Sequence, residues 1–202
     1  MSIATDEKFT FELKTKITKG VLENSGSRYV LDTPRLFIND KKQGVVIASN
    51  GKGLAITGPE TIDATKQDLP IPLAILPTKK NNRTVTVSGN GDIRFECQNK
   101  VDTAPYSDVE SKYPKIDSVI HQWDNDLPTI TLDAKLLLSV VEAIVPVGSD
   151  TKVTIQLDGN NGIKVVHSDG GIGAVMPCTN DGYKPGEVYE ATRSVVNSYY
   201  ND

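Results

Sequence analysis

The side chains best suited to chemistry are scattered along this sequence rather than grouped. His121 and His167 have no cysteine or carboxylate at ligand spacing, which argues against a metal site. Cys178 follows a strand pattern with no histidine near it in sequence, so we predict a packing role and not a nucleophile. The paired carboxylates Asp124 and Asp126 lie in a polar linker. We therefore predict that the protein is not an enzyme and uses no cofactor or metal.

Composition narrows the class of protein further. The chain has 202 residues, a net charge of -4 and a pI near 5.3, which argues against a uniformly basic nucleic-acid binder but leaves room for a local basic patch. It has no long apolar run and no charged-then-apolar leader, so neither a membrane span nor a secretory signal is expected. Cys97 and Cys178 are isolated cysteines, which favours a reduced, cytoplasmic protein.

The clearest pattern of secondary structure lies between residues 129 and 178. Thr129 to Leu132 is predicted as an entering strand, and Asp133 is placed to cap a helix. The apolar face of that helix is formed by Leu136, Leu137, Val140, Val141 and Ile144. Three strands are predicted to follow, at Val153–Leu157, Ile163–Val166 and Ile172–Met176. The first two flank Gly159 to Gly162, a sequence typical of a hairpin turn.

Two earlier segments repeat this plan of strand, helix and three antiparallel strands. The first enters at Phe9–Leu13, continues through a weak helix over 14–23, and is followed by strands at Tyr29–Ile38, Gly44–Ala48 and Leu54–Thr57. The second enters at Ile71–Leu76, has room for about one helical turn over 77–83, and is followed by strands at Thr84–Val87, Ile93–Cys97 and Lys100–Ala104. The predicted fold class is α+β with three repeats, the second with a reduced helix.

Several motifs in these repeats match a known family in the same order. Arg28-Tyr-Val-Leu31 resembles the family's Arg-Tyr-x-Leu-Asn-Gly, and Ala174-Val-Met-Pro-Cys178 resembles its closing Val-Val-Met-Pro. The other matching segments are Val45–Ala55, Ile75–Pro77, Val109–Pro114 and Leu132–Val145. On these residues the chain resembles the bacterial sliding clamp, the beta subunit of DNA polymerase III. The resemblance implies a clamp-like domain of two repeats over 1–120 and a third clamp-like repeat over 121–178. Chains of the family end just after Met-Pro, so residues 179–202 are an additional C-terminal tail, which is predicted to be helical from its own sequence.

The resemblance also implies surfaces for DNA and for partner proteins. In the family, basic side chains on the helices contact phosphates without reading sequence; the corresponding candidates are Lys14, Lys16, Lys19, Lys79, Lys80 and Arg83. An ordinary solvated face is the alternative for these residues. The family's groove for short hydrophobic peptides maps to Gly51, Lys52, Gly53 and Leu54 with Val175, Met176, Pro177 and Cys178. The alternative is that Val175 and Met176 only finish a core strand and that Asn50-Gly51 is only a turn.

The tail carries a helical stripe of its own. Val188, Thr192, Val195, Val196 and Tyr199 recur at helical spacing after a break at Pro185-Gly186. A lone helix of this length is marginal in water, so we predict that it packs on the chain's own body and partly covers the groove. A disordered end, or a helix that pairs with another protein, is the alternative.

Two function classes follow from the resemblance. The first is a sliding-clamp-like polymerase processivity factor or accessory protein of DNA replication, which binds DNA non-specifically and replication proteins through short hydrophobic peptides. The second is a clamp-derived peptide-interaction module that does not encircle DNA. A homo-oligomer is expected for the first class, because three repeats in one chain cannot surround a duplex.

Overall fold

The structure is a computed structural model in which two compact lobes can be distinguished. It describes residues 8–13, 33–76, 83–90, 92–97, 100–104, 113, 115–122, 124, 126–157, 162–178, 182 and 184–200. The first lobe comprises Met1–Trp123 together with Glu187–Asp202, and the second comprises Asp124–Gly186. The segment Glu187–Asp202 therefore belongs to the first lobe, although the second lobe separates it in sequence from Met1–Trp123.

The secondary structure of the described residues is mixed, and every strand pair among them is antiparallel. The strands are β1 (Lys8–Leu13), β2 (Arg35–Ile38), β3 (Gln43–Ser49), β4 (Leu54–Ile56), β5 (Glu60–Thr61), β6 (Gln67–Pro70), β7 (Arg83–Asn90), β8 (Asp92–Cys97), β9 (Lys100–Ala104), β10 (Val153–Leu157), β11 (Ile163–His167) and β12 (Ile172–Val175). The helices are α1 (Ala134–Ile144) and α2 (Pro185–Tyr200), with a 3-10 turn at Leu73–Ile75. The predicted α+β class is confirmed.

The first lobe contains two sheets that exchange strands. One sheet has the order β1-β7-β8-β9, and the other has the order β4-β3-β2-β6, with β5 also paired to β3. Strand β1 precedes the β2–β4 meander but pairs with β7, whereas β6 precedes the β7–β9 meander but pairs with β2. Each meander thus takes its fourth strand from the segment that leads into the other meander.

A shared apolar core joins these two sheets. In β1, Phe9, Phe11 and Leu13 are buried and the residues between them are exposed, as the period of two in a strand requires. Phe9 lies opposite Val87 in the ladder, and Phe11 lies opposite Val85. From the other sheet the core receives Leu36, Ile38, Val46, Ala48 and Leu69, all buried. Strands β2 and β3 are buried on both faces, so consecutive residues in them are apolar instead of alternating with polar ones.

Among its described residues, the second lobe has one three-stranded sheet, β10-β11-β12, with α1 packed against β11 and β12. Asp133 caps α1 as predicted: its Oδ1 accepts hydrogen bonds from the backbone N–H groups of Lys135 (2.8 Å) and Leu136 (3.1 Å). These bonds lower the pKa of the Asp133 carboxyl group. Gly173 allows the close approach of helix and sheet, because a Cβ at this position would clash with the Val140 side chain.

Two predicted entering strands are wrong in position or type. In the second repeat the strand is Gln67–Pro70, and the predicted range Ile71–Leu76 instead contains the 3-10 turn, because Pro72 has no N–H to continue a ladder. In the third repeat, 129–132 is not a strand in the described structure; the Cys178 N–H donates to the Thr131 carbonyl at 2.8 Å. In the first lobe, each entering strand pairs with the edge of the other repeat. The described residues of the second lobe contain one repeat, so they offer no such edge to 129–132. The predicted helices over 14–23 and 77–83 lie outside the described residues, except for Arg83 at the start of β7.

Neither α1 nor α2 is long and apolar enough to cross a membrane.

Candidate partner-binding surface

The loop between β3 and β4 contains Gly51, Lys52 and Gly53, three of the eight residues of the predicted peptide groove, and hydrogen bonds from its own side chains fix its shape. The Asn50 Oδ1 accepts hydrogen bonds from the N–H groups of Lys52 (3.0 Å) and Gly53 (2.7 Å). The Ser49 hydroxyl donates to the Gly53 carbonyl at 2.9 Å. Gly51 has a φ of 82°, a conformation that favours glycine. This predicted turn is therefore a preorganised loop with exposed residues at 51–53.

Leu54, at the end of this loop, belongs to a second apolar cluster in the first lobe. The cluster lies on the face of the β4-β3-β2-β6 sheet that points away from the shared core, and we call it the outer cluster. Its buried members are Phe37, Val45, Ile47, Ile116, Ile120, Val195 and Val196. Leu54 and Ile56 pack against it while remaining partly exposed. Leu54, a predicted groove residue, thus rests on a buried apolar cluster.

Helix α2 supplies the covering layer of the outer cluster. Val195 and Val196 are buried, and the Tyr199 ring stacks on Phe37 with centroids 4.7 Å apart and planes inclined by 21°. Tyr200 meets the same Phe37 ring edge-on at 5.8 Å. The predicted packing of the tail helix on the chain's own body is confirmed, and it covers the cluster against which Leu54 packs.

Hydrogen bonds fix the position of α2 on this sheet. The Asn39 Nδ2 donates to the Ser198 hydroxyl at 2.8 Å, and the Arg193 Nε donates to the Ile120 carbonyl at 3.3 Å. Arg193 also pairs with Glu190 one turn earlier, at 3.1 Å. Directional bonds at both the middle and the end of the helix select one orientation, which apolar burial would not do.

A buried ion pair lies on the same face of the sheet as the outer cluster. Arg35 is 1% exposed, and its Nε donates to the Asp68 Oδ1 at 2.5 Å across the β2–β6 pair. Burial raises the pKa of Asp68 to about 6, and the Arg35 charge opposes this rise. The Arg35 guanidinium also lies 5.6 Å from the centroid of the Tyr113 ring, whose pKa is raised by burial. Sequence reasoning missed this pair, although an arginine inside the apolar run Arg35-Leu-Phe-Ile38 signals a buried charge that needs a partner.

The other four residues of the predicted groove, Val175–Cys178, lie at the end of β12 and directly after it in the second lobe. Val175 is 1% exposed, whereas Met176 is 63% exposed and Pro177 and Cys178 are exposed beside it. The Cys178 N–H bond to Thr131 holds the segment in place. Val175 is a core residue, as the alternative interpretation stated, and Met176 to Cys178 form the accessible part. Since Gly51–Leu54 belong to the first lobe and these residues to the second, the joint groove stays a prediction.

The predicted DNA-binding residues lie mostly outside the described part of the chain. Lys14, Lys16, Lys19, Lys79 and Lys80 lie outside the described residues. Arg83 opens β7, where it lies opposite Leu13 in the ladder. Their DNA-binding role stays a prediction.

His167 is buried in the second lobe, and the two cysteines differ in exposure. His167 is 1% exposed; its Nδ1 accepts from the Asp169 N–H at 3.1 Å, and its Nε2 lies 2.5 Å from the Asp150 carbonyl oxygen. The ring therefore ties the loop before β10 to the end of β11. Cys97 is buried and Cys178 is exposed. Within the described part of the chain, no group of three or more His, Cys, Asp or Glu side chains is arranged to hold a metal ion.

Comparison with known proteins supports the fold. No family model matches the chain, and no curated protein matches it in sequence. A crystal structure described as "a Putative DNA polymerase III beta subunit" from Eubacterium rectale ATCC 33656 matches with a TM-score of 0.59 over 96% of this chain, at 17% sequence identity. The chain has a clamp-like fold. The clamp-like chain spans 57% of the length of that protein, so the similarity concerns the fold and not the whole protein's activity.

Proposed function

We propose that this clamp-like protein is an accessory factor of DNA replication in the cytoplasm, which binds partner proteins through short hydrophobic peptides and DNA without sequence preference. The observation that carries the proposal is the clamp-like fold, shared with a structure described as a DNA polymerase III beta subunit. In this role the protein tethers its partners and performs no catalysis.

The peptide-binding part of the proposal rests on two accessible surfaces. The loop at 51–53 is held by its own hydrogen bonds, so little ordering entropy is lost when a peptide binds. Met176 is 63% exposed, and its flexible thioether side chain adapts to different apolar partners. A peptide with two or more large apolar residues is the expected ligand.

The DNA-binding part of the proposal rests on Lys14, Lys16, Lys19, Lys79, Lys80 and Arg83. Contacts from such residues to phosphates release counterions, so the affinity for duplex should fall steeply as salt is added. A homo-oligomer is part of this proposal, because a ring needs more than one chain of this length.

A peptide-interaction module that does not encircle DNA is the second candidate. It is favoured by the position of α2, which covers the cluster that supports Leu54. A net charge of -4 also gives no general attraction to phosphate.

The experiment measures binding of a labelled duplex by fluorescence anisotropy at several salt concentrations. The variant carries Lys14→Glu, Lys16→Glu and Lys19→Glu, and the charge-matched control carries Lys115→Glu, Lys152→Glu and Lys164→Glu at exposed positions. The first candidate requires that the variant bind the duplex at least tenfold more weakly than the wild-type protein. The control should lose less affinity for the duplex than the variant does. No duplex binding by the wild-type protein would leave the second candidate.

Peptide binding is tested separately by calorimetry with a set of short apolar peptides. Met176→Glu should weaken binding by about tenfold or more, because it places a charge in an apolar contact. Val147→Glu is the matched control, since Val147 is fully exposed in the same lobe. Equal affinities for the two variants would exclude Met176 from the peptide site.

A further inference from the structure

Helix α2 is held on the first lobe although its own sequence favours a helix only weakly. From Ser194 to Tyr200 it contains serine, valine, asparagine and tyrosine, and none of these is a strong helix former. Gly186 lies in the first turn, and no basic residue lies in the last turn, where a positive charge would complement the helix dipole. A helix of this composition is marginal in water, so α2 depends on its docking to the outer cluster.

The docked helix leaves two buried polar atoms without a hydrogen bond. In the described part of the chain, the Tyr113 hydroxyl oxygen and the Asp117 Oδ1 are buried and have no hydrogen-bond partner. Such atoms are rare in folded proteins, because a polar group that leaves water without a new partner loses free energy. The Asp117 Oδ1 lacks a donor, and a positively charged donor would form the strongest bond with it.

Both of these atoms lie near the C-terminal end of α2. The Tyr113 ring meets edge-on the same Phe37 ring that Tyr200 contacts, with Tyr113 and Phe37 centroids 6.1 Å apart. Asp117 directly follows Ile116, whose N–H donates to the Tyr200 hydroxyl. Burial raises the pKa of Tyr200 to about 12, and the negative charge of Asp117 adds to this rise. The end of α2 is therefore seated beside a carboxyl group that it does not satisfy.

One side of α2 contacts the turn 116–120, which contains Asp117. Arg193, Asn197 and Tyr200 recur at i, i+4 and i+7, so their side chains lie along one side of the helix. Arg193 and Tyr200 both bond to the backbone of this turn. Asn197 lies between them, about one helical turn from each, and carries no charge. A lysine or arginine at this position would be placed to donate to Asp117.

Part of the outer cluster is accessible while α2 is docked. Leu54 and Ile56 pack against the cluster and remain partly exposed. On α2 itself, Val195 and Val196 are buried, whereas Val188 is 43% exposed. The cover is therefore complete only over the second half of the helix. Another helix has apolar surface to contact before α2 has left.

We propose that the outer cluster is a binding site for an amphipathic helix of a partner protein, and that α2 occupies this site in the free chain as a displaceable cover. The partner helix has apolar side chains at the positions of Val195, Val196 and Tyr199. It has a lysine or arginine at the position of Asn197 and strong helix formers elsewhere. Such a helix satisfies Asp117 and loses less free energy on folding than α2 does, and grooves that accept amphipathic helices are common in protein recognition.

The α2 helix of a second copy fits this role less well. It would bring the same contacts as the resident helix, but without the high effective concentration that the covalent connection gives to α2. A gain in affinity has to come from different side chains, and the unsatisfied Asp117 identifies where they act. This inference depends on the fold and not on the proposed function.

The first test measures the binding of two labelled peptides to the full-length protein by fluorescence anisotropy. Both have the sequence of residues 185–200; one carries Asn197→Lys and the other carries Ser194→Lys. The two changes add the same charge and a similar gain in helix propensity, but the exposed Ser194 is turned about 100° away from Arg193. We expect the Asn197→Lys peptide to bind about tenfold more tightly. This preference should disappear in a chain that carries Asp117→Asn.

The second test weakens α2 within the full-length chain. Val196→Ala removes a buried contact of the resident helix, and Val188→Ala is the matched change at an exposed position. If α2 competes with the peptide, the Val196→Ala chain should bind the Asn197→Lys peptide about tenfold more tightly than the Val188→Ala chain does. Addition of the peptide should also speed hydrogen exchange in residues 185–200 of the chain, while β2 and β3 stay protected.

Several results would overturn the proposal. Equal affinities of the Val196→Ala and Val188→Ala chains, or no binding to either, would exclude a displaceable cover. Binding without faster exchange in α2 would place the peptide elsewhere. A preference for Asn197→Lys that is missing, or that Asp117→Asn leaves unchanged, would refute the chemistry of the partner helix. Dimers of the Val196→Ala chain without peptide, seen by light scattering, would identify α2 of a second copy as the occupant instead.

Discussion

The attachment of α2 to the first lobe can be tested by removing two methyl groups from one side chain. Val196 is fully buried against the outer cluster, whereas Val188 is 43% exposed on the same helix. Val196→Ala removes about 1.6 kcal/mol of transfer free energy, at about 0.8 kcal/mol for each buried methylene-sized group. The cavity that remains adds to this loss, so we expect a destabilisation of about 2 kcal/mol.

Val188→Ala is the matched control for this change. Both substitutions replace a β-branched residue by alanine in one helix, and each therefore gains the same few tenths of a kcal/mol in helix propensity. We expect Val188→Ala to be neutral or slightly stabilising, because its side chain loses little burial.

Urea denaturation followed by circular dichroism gives the free energies of unfolding. Hydrogen exchange at the β2 and β3 amides then shows whether the loss of stability lies in the first lobe. The reasoning fails if the two variants are equally stable, or if Val196→Ala accelerates exchange in β10–β12 and leaves β2 and β3 unchanged.

Three further predictions concern single residues. Because burial raises the pKa of Asp68 from 3.8 to about 6, its stabilising contribution is complete below pH 4 and is lost as the pH rises through 6. The free energy of unfolding should fall by up to about 3 kcal/mol over this window in the wild type but not in Asp68→Asn, as measured by denaturation at several pH values. Gly173→Ala should destabilise the second lobe by roughly 1–3 kcal/mol through its clash with Val140, and a second change, Val140→Ala, should recover part of the loss in the same assay. Asp133→Ala should speed amide exchange in the first turn of α1 several-fold because it removes the cap, whereas Asp133→Ser should keep the cap.

Local patterns in the sequence were sufficient for most elements of the second lobe. The alternating apolar residues predicted β10 at its observed bounds, and Asp133 predicted the start of α1. These features depend on side chains within a few residues of one another, so their physics is contained in a short window of sequence. The helical stripe through Val195 and Val196 predicted α2 for the same reason.

Features that depend on distant segments could not be predicted in this way. The exchange of β1 and β6 pairs residues that are far apart in sequence, and no turn chemistry signals it. The position of β6 was wrong because its bounds are set by pairing with β2 and not by its own apolar run. Arg35 and Asp68 were overlooked because their pairing exists only once those strands are adjacent.

The discontinuous first lobe has a consequence for synthesis on the ribosome. Its sheet β4-β3-β2-β6 is complete once residue 70 has emerged, but the helix that covers Phe37 and Ile47 begins only at Pro185. While the ribosome translates the second lobe, this apolar face therefore remains exposed. A nascent chain that stalls in that interval presents an exposed apolar surface to chaperones and proteases until α2 has been made.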